Sequence, residues 1–180
     1  MTMLYDLTVP AYQNGLEALS GELSKASAWG ADNGIGELQF AVARLAPDMF
    51  PLASQVRFAC VQALQPLRRL GEIDVPEFPE DATDFAGMQD QIAATLAFLE
   101  TVGPAAIDGD IDRTVSFELP NGMIFDMSAF DYVRDWAGPQ FAFHRTAAYA
   151  ILRHMGVPLG KADYVACMMR HLRPGTAPAA

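Results

Sequence analysis

The chain has 180 residues, 51% of them hydrophobic, with a formal net charge of −10 at pH 7. That length suffices for one sizeable core, and the acidic balance argues against nucleic acid or an anionic membrane as partner, since both need clustered Lys and Arg. Cys60 and Cys167 are far apart and form no C-x-x-C pair, so neither a disulfide framework nor a zinc ribbon is expected, and the chain reads as cytoplasmic.

Met1 to Pro10 carries Asp6 and no basic region before an apolar run, which does not read as a signal peptide. No uncharged apolar run approaches the roughly 18–20 residues of a membrane span. Thr8 is predicted to cap a first helix with Pro10 in its first turn. Tyr12, Leu16, Leu19, Leu23 and Ala26 then recur at helical spacing, up to a loop at 30–36 containing Asp32-Asn33-Gly34. Glu37 to Leu45 reads as a further short helical piece.

Pro47-Asp48 is predicted to open the second long helix, with Asp48 as N-cap and Pro51 in the first turn. Its apolar face is Leu52, Gln55, Val56, Ala59, Cys60, Ala63, Leu67 and Leu70, interrupted only by Gln55, and Pro66 is expected to kink its end. Ile73 to Asp81 is acidic, contains Pro76 and Pro79, and reads as extended. Thr83 or Asp84 caps a third helix that turns Phe85, Met88, Ile92, Leu96, Leu99 and Val102 inward and stops at Gly103-Pro104.

The period then changes to two. Val115, Phe117 and Leu119, then Pro120-Asn121-Gly122, then Met123, Phe125 and Met127 predict a hairpin over Thr114 to Met127. Ser128, with Asp131 three residues on, restarts a helix, and Gly138-Pro139 bends or restarts it. The fourth long helix runs through Gln140 and His144 to a stop at Gly156 and Pro158. Val133, Ala137, Gln140, His144, Ala147, Ile151 and His154 alternate by four and three, so they share a face. Lys161 to Leu172 can form a last short helix, and Arg173 to Ala180 reads as a mobile tail. The pattern predicts an all-α four-helix bundle spanning 1–172, with one β-hairpin between the third and fourth long helices and a flexible tail at 173–180.

Gln140 and His144 are polar on an otherwise apolar stripe, and a buried polar group costs free energy unless partnered. His144 is by default a hydrogen-bonded core histidine, and Gln55 and Gln140 by default bond each other or backbone. Histidine titrates near neutrality and is also a candidate base or ligand contact, yet no serine, cysteine or carboxylate is spaced to complete a dyad. His154 suits the negative end of the helix dipole. Asp108-Gly109-Asp110-Ile111-Asp112 has the acidic spacing of a calcium loop, but Arg113 stands where Gly is required and Leu119 where Glu is required. Trp136, Phe141, Phe143 and Tyr149 read as packing, and Cys60 as a buried, inert thiol.

Three segments carry a resemblance: Met3-Leu4-Tyr5-Asp6-Leu7-Thr8-Val9-Pro10, Ala43-Arg44-Leu45-Ala46-Pro47-Asp48-Met49-Phe50-Pro51-Leu52, and Ala150-Ile151-Leu152-Arg153-His154-Met155-Gly156-Val157-Pro158-Leu159-Gly160-Lys161. The chain resembles the DinB/YfiT-like four-helix bundles, and specifically a bacterial branch carried as a domain of unknown function. In the wider superfamily three histidines hold zinc or nickel. One lies about seven residues after the cap of the second helix. The other two form an H-x-x-x-H pair on the fourth, the second of them nine residues before the arginine of a Leu-Arg…Gly-Val-Pro segment. Those positions here are Gln55, Gln140 and His144.

Imidazole nitrogen is a strong zinc donor and a neutral carboxamide oxygen a poor one. The resemblance therefore implies a metal site turned into a polar pocket, with no cofactor expected and zinc or nickel as the alternative. The leading functional reading is a homodimeric module that holds a small molecule near Gln55, Gln140 and His144. The alternatives are a metal-dependent thiol-transferase-type enzyme, as the superfamily implies, and a structural or partner-interaction protein.

Overall fold

A computed structural model describes residues 3–176. Its elements are α1 (Met3–Asn33), α2 (Glu37–Ala41), α3 (Leu52–Gly71), α4 (Phe85–Glu100), β1 (Thr114–Glu118), β2 (Ile124–Ser128), α5 (Ala129–Asp131), α6 (Gly138–His154) and α7 (Lys161–Tyr164). The four long helices α1, α3, α4 and α6 form the bundle. α3 lies between α6 and α4, and α1 closes against α4 and α6. Leu16, Leu19, Leu52, Leu67, Met88 and Leu99 are fully buried in the shared core. The fold is an all-α bundle with one two-stranded hairpin between its third and fourth long helices, as the periodicity predicts. Among the described residues no helix is long and apolar enough to cross a membrane.

α1 starts at Met3, not at Thr8. Its first backbone donors are met from far along the chain: Asp108 Oδ1 accepts from Leu4 N at 2.9 Å and from Tyr5 N at 3.0 Å. Thr8 is buried in the helix and donates from Oγ1 to the Leu4 carbonyl at 2.7 Å. Pro10 therefore sits inside the helix, beyond its first turn. The second long helix also begins later than predicted. Asp48 lies in a preceding turn, and Pro51, with extended ψ of 171°, is the N-cap of α3. The physical reason is local: a proline disfavours the α conformation of the residue before it, so the helix cannot run through Phe50. Pro66 lies inside α3, which continues to Gly71.

α2 ends at Ala41, shorter than the predicted 37–45, and its Phe40 ring is buried against Phe85. The extended stretch after α3 is pinned to it by Arg57–Asp81 and Arg68–Glu77 ion pairs. Asp84 caps α4, accepting from Gly87 N at 2.8 Å.

In the hairpin Phe117 stands opposite Phe125. The turn closes through Gly122 N to Leu119 O at 2.8 Å, with Gly122 at φ 84°, a conformation that favours glycine. Phe117 and Phe125 pack on Trp136. Ser128 Oγ accepts from Asp131 N at 3.0 Å and caps α5. The predicted break at Gly138-Pro139 takes a specific form: Tyr132–Ala137 widens into a π-helical segment that leads straight into α6. A wide turn of this kind keeps the chain helical past a proline that lacks an N–H.

α6 ends as predicted. Gly156 has φ 96°, its N–H meets Arg153 O at 3.0 Å, and Val157 N meets Leu152 O at 3.1 Å, which is a Schellman closure. The predicted last helix at 161–172 is instead α7 followed by a 3₁₀ segment at Ala166–His171. Of the predicted tail, 173–176 contains a turn closed by Thr176 N to Arg173 O at 3.2 Å, and 177–180 lies outside the described residues.

Candidate functional site

The packing of α3 on α6 brings together two side chains 89 positions apart. His144 is 9% exposed and Gln55 1% exposed, and His144 Nδ1 lies 2.8 Å from Gln55 Oε1. Gln55 Nε2 donates to the Phe50 backbone carbonyl at 3.2 Å. That carbonyl can only accept, so it fixes which end of the carboxamide faces it. The Gln55 oxygen therefore faces His144, and since an amide oxygen only accepts, Nδ1 carries the imidazole proton. The second ring nitrogen, Nε2, is then the one with the free lone pair. Burial pushes His144 down to about 4, so the ring is neutral at pH 7.

Aromatic rings frame the imidazole. Phe58 lies 5.1 Å from it, Phe143 stands edge-on at 5.3 Å, and Phe50 packs on Phe58 at 4.9 Å. The Arg57 guanidinium covers Phe58 at 4.4 Å. Phe143 beside the imidazole and Phe50 on the far side of Phe58 are each 57% exposed, so aromatic surface adjoins the buried pair. Phe143 also borders an open groove of about 440 Å³ with Asp135, Trp136, Pro139 and Gln140.

Of the three predicted pocket residues, the structure thus brings Gln55 and His144 into contact. Gln140 is half-buried in the adjoining groove, and among the described residues no hydrogen bond joins it to the other two. Phe58 was missed from sequence, although its position three residues after Gln55 on one helix was a legible signal. Phe50 was missed because it precedes α3 and reaches the site through its backbone oxygen.

The other candidates have structural partners or surroundings. His154 is exposed in the last turn of α6. Burial pushes the Cys60 thiol up to about 12, as suits an inert core cysteine. In the acidic loop Asp108 caps α1, and Asp110 Oδ1 accepts from Asp112 N at 3.0 Å. Arg113 donates to the carbonyls of Ile107 at 2.9 Å, Leu70 at 3.0 Å and Asp110 at 2.8 Å, so a guanidinium organises this loop.

The family described as Domain of unknown function (DUF1993) matches residues 4–165. The chain is also similar to a DinB family member protein from Shewanella denitrificans, whose crystal structure was determined at 1.83 Å resolution. The two share 31% sequence identity over 98% of this chain and 96% of that one, with a TM-score of 0.84. No curated protein matches the chain. The chain belongs to the DUF1993 branch of the DinB-like superfamily.

At the positions that the resemblance implies for metal ligands, Gln55, Gln140 and His144 offer one imidazole and two neutral carboxamides, a donor set that does not suit zinc or nickel. Gln55 Oε1 is already engaged by the Nδ1 proton of His144, and Gln140 offers a neutral carboxamide from the neighbouring groove. Among the described residues no group of three or more His, Cys, Asp or Glu side chains is placed to hold a metal ion.

Proposed function

We propose that this DUF1993 bundle is a cytoplasmic homodimeric module that binds a small molecule at the Gln55–His144 pair, with Gln140 contributing from the adjoining groove. One observation carries the reading: a buried, neutral imidazole with a fixed tautomer sits against Phe58 and the exposed Phe143, with the exposed Phe50 packed on Phe58. Such a site suits a molecule with a flat apolar part for Phe50 and Phe143 and a hydrogen-bond donor for the free His144 nitrogen. The polar pair occupies the place of a lost metal centre, and its chemistry favours binding over metal-dependent thiol transfer.

Native mass spectrometry of protein purified without added ligand is expected to show an adduct that His144→Phe abolishes; retention of that adduct by the variant would refute the assignment. Replacing Gln55 and Gln140 together by His should create zinc binding, read as a melting temperature that rises with zinc concentration. We infer pairing through the exposed apolar side chains Leu38, Val42 and Leu45 around the α2–α3 connection, with residues 1–172 acting as one domain. Light scattering that gives the mass of one 19.5 kDa chain at micromolar concentration would sink that inference.

A further inference from the structure

The charge of the chain is unevenly placed. Of its 12 Lys and Arg, five lie beyond Ala137, namely Arg145, Arg153, Lys161, Arg170 and Arg173, but of its 22 Asp and Glu only Asp163 does. The stretch from α6 onward is thus the basic part of an acidic protein, and such a local field favours an anion.

On this stretch, away from the Gln55–His144 contact, α6 and α7 frame an open niche of about 190 Å³ lined by Thr146, Tyr149, Lys161 and Tyr164. Two tyrosine rings build it. Tyr149 meets Tyr164 edge to face, with centroids 5.7 Å apart. The Tyr164 hydroxyl shares a hydrogen bond of 2.9 Å with Thr146 Oγ1, and the Arg145 guanidinium lies 3.9 Å from the Tyr164 ring centroid. The Tyr164 carbonyl accepts from Arg145 Nη2 at 2.6 Å, so this residue is held at backbone, ring and hydroxyl alike. Walls that are already ordered lose little freedom when a ligand enters.

The charged groups around the niche differ in what engages them. Asp163 of α7 is ion-paired with Lys25 of α1 and accepts from Gly160 N at 2.7 Å. Arg145 is held by Tyr164 and acts electrostatically on the buried Glu22 of α1. Lys161 is exposed, and among the described residues its ammonium has neither an ion pair nor a hydrogen bond. An uncommitted cation therefore stands beside an apolar, aromatic-walled niche.

We propose that this niche binds a small aromatic carboxylate, with one flat ring against Tyr149 and Tyr164 and the carboxylate on Lys161 Nζ. The size fits, since a cavity of about 150 Å³ already admits a benzene ring. Offset or edge-on ring contacts hold the body of the ligand, and a charge-assisted hydrogen bond to the ammonium selects for an anion. The Thr146 and Tyr164 hydroxyls engage each other, which leaves Lys161 as the polar contact that discriminates.

The test is a titration of the full chain with sodium benzoate, followed by ¹⁵N–¹H NMR, against benzyl alcohol and sodium acetate. Benzoate is expected to shift the amides of Thr146, Tyr149, Lys161 and Tyr164. Acetate, which has the charge without the ring, should leave them in place. Benzyl alcohol, the ring without the charge, should bind about fivefold more weakly, the upper end of what an exposed ion pair contributes. Lys161→Gln should weaken benzoate by the same factor and leave benzyl alcohol unchanged, and added sodium chloride should do likewise. Equal binding of benzoate and benzyl alcohol, equal shifts from acetate, or undiminished benzoate binding in Lys161→Gln would each overturn the proposal. So would shifts centred on Gln55 and His144, which would put the ring at that site instead, and so would the absence of any shift up to the solubility limit of benzoate.

Discussion

His144 and Glu22 are both titratable groups buried in one bundle, yet the protein treats them oppositely. His144 has a built partner, Gln55, which is itself oriented by the Phe50 carbonyl. Glu22 has none. Burial works against the charged form in both cases, lowering the histidine to about 4 and raising the carboxyl to about 7. The lesson is that similar depth in a core does not imply a similar role. A satisfied polar group is held in position, whereas an unsatisfied one is a cost that the rest of the fold carries.

The largest expected effect that tests this contrast is the dependence of stability on pH. In the unfolded chain the histidine takes up its proton near 6.5, whereas in the fold it does so only near 4. Stability is therefore lost as pH falls from about 6.5 toward 4. Glu22 has the opposite sign. Its folded value lies above the ordinary 4.5, so its contribution is present at low pH and is lost as pH rises through about 7. At about 1.4 kcal/mol per pH unit, each contribution spans on the order of 3 kcal/mol, but the two windows overlap with opposite slopes, so in the wild type they nearly cancel between about pH 4.5 and 6.5. Urea unfolding across pH 4 to 8 checks this: Glu22→Gln should unmask the loss of stability toward acid pH, and His144→Phe the loss toward neutral pH. A Glu22→Gln profile identical to wild type between pH 4.5 and 7 would break the comparison.

Next in size is the loss of the partner. Gln55→Leu leaves the His144 Nδ1 proton without an acceptor and should cost about 2 kcal/mol at pH 7. Adding His144→Phe should recover part of that loss, since the unsatisfied group is then gone. Denaturant midpoints for the two singles and the double give the coupling directly, and strict additivity would mean that the hydrogen bond carries no weight.

Asp108→Ala removes the acceptor for the Leu4 and Tyr5 amides and should cost about 1 kcal/mol, as for an ordinary N-cap. The loss should appear as faster amide exchange at the start of α1, with His144 and Glu22 unaffected. The smallest expected effect is none at all: brief chelation should leave the melting temperature unchanged, because the Gln55–His144 pair is held by its own hydrogen bond. A drop on chelation, reversed by zinc, would show that the pair is a metal site after all.

Much of the fold was legible because the signals were local. The Gly156 and Val157 closure of α6, the Asp84 and Ser128 caps and the Gly122 turn each depend on residues within a few positions of one another. Periodicity also placed Gln55 and His144 on inward faces before any contact was known. The start of α3 is legible too, because the restriction that Pro51 places on Phe50 outweighs the capping preference of Asp48.

What remained depended on which helices meet, and at what height. No local rule brings Asp108 to the start of α1 or sets His144 opposite Gln55. Nor does spacing alone separate Gln140 from His144, one turn away, where α6 emerges from the π-helical segment beside an open groove. The sequence fixes which side chains face inward, because that follows from the 3.6-residue period. Whether an inward polar group finds a partner depends on what another helix offers at that level. Only the assembled bundle decided that His144 would have one and Glu22 would not.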